Sequence, residues 1–111
     1  QGAVMLKQFN VYRNASPRTN TLLPYSMIVQ HDCYDDFSTR VIMPLMRNNR
    51  LSVWQHRVAP RVNIDFESLI LYSPMLTSLD IAKINHNDFV CNLKSARGDV
   101  VAAIDSLITS T

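Results

Sequence analysis

Residues 24–45, PYSMIVQHDCYDDFSTRVIMPL, constrain this chain most, because two apolar runs there flank one acidic turn. Residues 25–30 and 40–45 are short and rich in Val, Ile and Met, while residues 33–39 between them carry turn-forming polar groups. That order predicts a strand, a connection and a second strand.

The remainder reads around this pair. The chain has 111 residues, and 47% of them are hydrophobic, enough for one domain with a real core. Gln1 and Gly2 resemble the scar of tag removal, so residues 1–3 are set aside and residues 4–111 are read as a single domain. No apolar run approaches the roughly 20 residues that span a bilayer, and a soluble, cytoplasmic protein is expected. Cys33 and Cys91 lack CxxC spacing and zinc-type partners, which predicts free thiols. The formal charge is +2, with eleven Lys and Arg spread along the chain; direct nucleic-acid binding is not favoured. With two glycines in the whole chain, a Gly-rich phosphate cradle is excluded.

In chain order, residues 7–13 alternate as a half-buried strand, with Phe9 and Val11 on one side and Gln8, Asn10 and Tyr12 on the other. Residues 14–21, NASPRTNT, have the chemistry of an exposed loop. Pro44 has no N–H for a ladder, so it is expected at a strand end or bulge. Residues 51–56 suggest a short helix or turn. Residues 61–66 alternate, placing Val62, Ile64 and Phe66 inward. Residues 68–72 read as a strand buried on both sides, broken by Ser73 and Pro74, and residues 79–84 alternate again. Residues 85–88 form a turn and 89–93 a further strand. From Asp99 the period changes, because Val100, Ile104, Leu107 and Ile108 recur at three or four residues. This is an amphipathic helix, capped by Ser95 or Asp99. Several strands and one terminal helix make an α+β domain.

His31, Asp32, Cys33, Asp35 and Asp36 invite a metal reading, but close neighbours on an extended strand point to opposite faces, and Asp is an ordinary turn residue. No metal or other cofactor is therefore expected. His31, Asp32 and Arg40 also hold the group types of an acid–base set for RNA cleavage. The preferred reading is a turn stabilised by Asp side chains, with Arg40 paired to an aspartate. His56 and His86 read as surface residues, and Trp54 either as a cover for one end of the core, the more common case, or as an exposed interface anchor, two readings the sequence does not separate. No signature of covalent catalysis surrounds any Ser or Cys.

Taken together, QFNVY at 8–12, the stretch 24–45, the pattern of Pro60, Val62 and Ile64, LTSL at 76–79 and AIDSLIT at 103–109 resemble the CcdB toxin family. The specific part is Val29, Gln30, Asp32 and Asp35 followed by Thr39, Arg40, Val41, Pro44 and Leu45. The resemblance implies a small antiparallel sheet of SH3-like barrel type with a C-terminal α-helix, assembled as a homodimer. It implies a non-enzymatic toxin that binds the A subunit of DNA gyrase and traps the cleaved-DNA complex, neutralised by a CcdA-type antitoxin. The gyrase-contacting tip falls on Thr109, Ser110 and Thr111, with Ile104, Leu107 and Ile108 packing the helix in place. Well-known members end in Trp-Gly-Ile where this chain ends in Thr-Ser-Thr. Two further readings stand beside the first: a homologue that binds an antitoxin without poisoning gyrase, and an mRNA-cleaving toxin on the same fold.

Overall fold

A computed structural model describes residues 6–47 and 57–109. The expected pair is present as β2 (Tyr25–Ile28) and β3 (Thr39–Arg47), antiparallel with Ile28 opposite Ile42 and Tyr25 opposite Leu45. Before them, β1 (Asn10–Arg13) runs antiparallel to β2. It is shorter than the alternation of residues 7–13 suggested. Phe9 takes a positive φ of 71°, which breaks extended geometry there while still turning its ring into the core beside Val11.

The second half adds β4 (Arg61–Ile64), β5 (Glu67–Leu71), β6 (Thr77–Asp80) and β7 (Phe89–Asn92). Strand order is β4-β5-β3-β2-β1-β7, with β6 also paired to β3, and every pairing is antiparallel. The sheet is curled into a half-barrel. Ile64 of β4 and Val90 and Cys91 of β7 come from opposite ends of that order yet share one core. Among the described residues one α-helix, α1 (Arg97–Thr109), follows a 3₁₀ turn at Lys94–Ala96; the turn buries Ala96 and the helix buries Val100 and Ala103.

Strand alternation sorts the side chains onto two faces. Val11, Met27, Met43, Leu45, Leu69 and Leu71 are fully buried on the face covered by α1, and each such side chain contributes roughly 1.5–3 kcal/mol of transfer free energy. On the other face Tyr12, Ile28 and Ile42 gather Leu6, Leu79 and Ile84. Tyr12 is thus buried on a face that the alternation had left open.

Four expectations are corrected. Pro44 lies inside β3 and is buried, because that edge of β3 is vacated between β6, which pairs residues 39–42, and β5, which pairs residues 45–47. Its missing N–H leaves no bond unmade, and its carbonyl accepts from Tyr72 N–H at 3.0 Å. Phe66 is fully exposed rather than inward, since the chain reverses between β4 and β5 on Asp65 and Phe66, with φ of 50° and 66°. Two left-handed residues in succession form the mirror-image turn whose twist matches a hairpin. The alternation at 79–84 ends early, because the Asp80 carboxylate accepts Ala82 N–H at 2.9 Å and starts a 3₁₀ turn at Ile81–Lys83. The later strands also form no simple meander, as both β5 and β6 return to β3. The 51–56 segment, with Trp54 and His56, and the expected scar lie outside the described residues.

Candidate functional site: a braced turn and an overhanging helix

The turn between β2 and β3 is held by side chains acting on backbone. Gln30 spans its neck, donating from Nε2 to the Tyr34 carbonyl at 2.9 Å and accepting Val41 N–H on Oε1 at 3.1 Å. Asp32 Oδ1 accepts Gln8 N–H at 2.7 Å, tying the turn to the segment before β1. His31 Nδ1 accepts Cys33 N–H at 3.0 Å and caps a 3₁₀ turn at Asp32–Tyr34.

Arg40 completes the brace. It is only 6% exposed, and its guanidinium donates to the carbonyls of Asp35, Phe37 and Thr39 at 2.8, 2.7 and 3.0 Å. Among the described residues no carboxylate pairs with it, so the expected Arg40–aspartate pair is replaced by three carbonyl dipoles. Such a cation is tolerable only because its donors are taken. The residues Val29 to Leu45 that carry the family resemblance are therefore largely the frame of this turn.

The frame presents aromatics. Tyr34 and Phe37 are 50% and 54% exposed, with ring centroids 5.8 Å apart. With His31, Val29, Val41 and Leu76 they line a groove of about 390 Å³, which Ile104 of α1 also borders. Val101, Ile104 and Ile108 lie at helical spacings of three and four on α1, and Val101 and Ile108 are exposed. The apolar surface so runs from the groove onto the helix.

The site residues expected from sequence fall as follows. Thr109 ends α1, exposed, its hydroxyl donating to the Asp105 carbonyl at 2.7 Å; Ser110 and Thr111 lie outside the described residues. Ile104 is half-buried against the core. Leu107 and Ile108 do not pack the helix in place, being 39% and 76% exposed. Val100 and Ala103 do that work nearer the N-terminus, and the last turn overhangs. His31 through Nδ1, Asp32 through Oδ1 and Arg40 through its guanidinium each hydrogen-bond to backbone, in bonds that brace the turn. Among the described residues no three His, Cys, Asp or Glu side chains are placed to share a metal ion. His86 lies exposed in a turn.

Two features were missed. Tyr34 and Phe37 stand among turn-forming polar residues, and two aromatics inside such a turn are the available signal. At Asp65-Phe66 no Gly or Asn announced the reversal.

Electrostatics elsewhere are modest. Arg47 of β3 pairs with Glu67 of β5 and donates to the Thr21 carbonyl, fastening the exposed 14–21 loop; the hydrogen bond to Glu67 raises the already high pKa of Arg47. Burial, then the Asp65 charge, pushes the Cys91 thiol up, whereas Cys33 is exposed, and both thiols are free.

A curled antiparallel half-barrel with a C-terminal helix defines a small α+β fold, here with an apolar groove beside that helix. A family model described as CcdB protein matches residues 8–110, and the chain belongs to the CcdB family. It is a toxin of the CcdB type, from a toxin–antitoxin system. No curated protein matches the chain. No described helix is long and apolar enough to cross a membrane.

Proposed function

We propose that this toxin acts in the cytoplasm by binding the A subunit of DNA gyrase and trapping the cleaved-DNA complex, and that a CcdA-type antitoxin neutralises it. The observation that carries the reading is the overhang of α1. The helix is anchored by Val100 and Ala103, while Ile108 and Thr109 stand clear of the sheet. A terminus mounted this way suits insertion into a partner, and Thr109, Ser110 and Thr111 form the contact tip. The toxin itself makes and breaks no covalent bond.

The groove between the braced turn and α1 supports a second part of the proposal, that two copies pair through it. Exposed aromatics beside an apolar helix stripe are the usual anchors of a protein interface. A homodimer then carries two tips.

Immobilised gyrase A subunit, challenged with the full chain and with a chain ending at Ile108, tests the tip. The full chain binds, and the shortened one loses most of its affinity. Equal binding by both removes the tip from the account. One alternative is a homologue that keeps its antitoxin and has lost gyrase; gyrase A binding by neither chain would select it.

A further inference from the structure

Among the described residues no helix covers the face of the sheet turned away from α1. Tyr12, Ile28 and Ile42 are buried there against Leu79 and Ile84, and the chain beside them runs as two 3₁₀ turns, Ile81–Lys83 and His86–Asp88. Short turns leave space that a packed helix would fill. A recess of about 270 Å³ remains, lined by those apolar side chains and bordered by Arg13, the start of the 14–21 loop and the two turns.

Both borders are tied down by side chains acting on backbone. Asn14 donates from Nδ2 to the Leu23 carbonyl at 2.8 Å and accepts Ser16 N–H on Oδ1 at 3.0 Å. Across the recess Asp80 caps the first turn through Ala82 N–H and Asn85 caps the second through Asn87 N–H, both at 2.9 Å, while Asp88 N–H donates to the Asn85 carbonyl at 2.9 Å. The recess is therefore preformed, and a ligand entering it orders little chain.

We propose that this recess binds a small apolar zwitterion, of the class of free α-amino acids with a branched or aromatic side chain. Size argues for it first. A cavity of about 150 Å³ admits benzene, so the larger recess takes a ring or branched chain together with a short polar end. Charge argues second, because both signs stand at the border: Arg13 and Lys83 are exposed and Asp88 is half-buried. Among the described residues none of these three side chains makes an ion pair or hydrogen bond. Arg13 and Lys83 are long and can turn onto a carboxylate, whereas Asp88 is short, held by its turn, and suits an ammonium. A ligand with one charge would leave the other sign at the border unanswered.

The site lies on the face away from the groove and the tip, and it rests on no part of the gyrase reading. Titration of the 15N-labelled full chain with L-phenylalanine at pH 7 tests it. The amide resonances of Ile28, Ile42 and Ile84 should move and saturate, with a dissociation constant on the order of 1 mM, while those of Val29 and Leu76 in the groove beside α1 stay fixed. 3-Phenylpropionate, which lacks the ammonium, and phenethylamine, which lacks the carboxylate, should each bind roughly two- to fivefold more weakly. Asp88→Asn should erase the advantage of L-phenylalanine over 3-phenylpropionate, and the double variant Arg13→Gln, Lys83→Gln its advantage over phenethylamine. No saturating shift at the recess, or shifts centred on the groove, overturns the site. Equal affinity for all three molecules overturns the zwitterion assignment.

Discussion

Arg40 is the residue on which the turn that carries Tyr34 and Phe37 most depends. Removing its guanidinium leaves the carbonyls of Asp35, Phe37 and Thr39 without their shared donor. Arg40→Met is expected to lower stability by about 2–4 kcal/mol, measured by urea unfolding, with Arg40→Lys recovering only part of the loss because an ammonium lacks the fork that reaches three acceptors. A loss below about 0.5 kcal/mol for Arg40→Met would show that the brace is ornamental. The thiols give a second contrast at this scale. Burial keeps Cys91 protonated to higher pH, while Cys33 is exposed, and the thiolate is the nucleophile. Iodoacetamide near neutral pH should alkylate Cys33 well before Cys91, with Cys91 catching up as pH rises, read by mass spectrometry of tryptic peptides. Preferential attack on Cys91 would contradict the packing of β7 against the core.

Among elements, α1 divides its labour along its length. Val100→Ala removes buried methyl groups and is expected to cost about 1–2 kcal/mol of stability, whereas Ile108→Ala should leave monomer stability within about 0.5 kcal/mol. If Ile108→Ala destabilises the monomer as much as Val100→Ala, the last turn is packed and does not overhang. The helix also shows what a sequence displays. The three- and four-residue recurrence of Val100, Ile104, Leu107 and Ile108 revealed a helix. It could not tell which of these meet the chain's own core, because an apolar stripe looks the same whether the chain or a partner covers it. Strands behaved likewise. β2, β3, β5 and β7 were legible from apolar runs bounded by turn residues. Phe66 was misplaced because φ above zero at a non-glycine residue leaves no compositional trace, and Pro44 because the gap between β5 and β6 is a property of topology.

For the whole molecule, the motif residues and the exposed aromatics of the β2–β3 turn are different side chains of one stretch. Gln30, Asp32 and Arg40 build the frame; Tyr34, Phe37 and the end of α1 are what it holds out. That separation explains why residues 24–45 disclosed the family while leaving the docking aromatics unnoticed. Exchanging Thr111 for Ile restores apolar surface worth about 1–2 kcal/mol in a buried contact, so Thr111→Ile is expected to bind gyrase A roughly 5–30-fold more tightly. Weaker or unchanged binding would show that the tip does not enter an apolar site.

The central claim is gyrase poisoning, and plasmid cleavage tests it most directly. Purified toxin incubated with gyrase, supercoiled plasmid and ATP, beside a labelled RNA, should yield linear plasmid after detergent and protease treatment, with the RNA intact. Cut RNA with no linear plasmid would contradict the account.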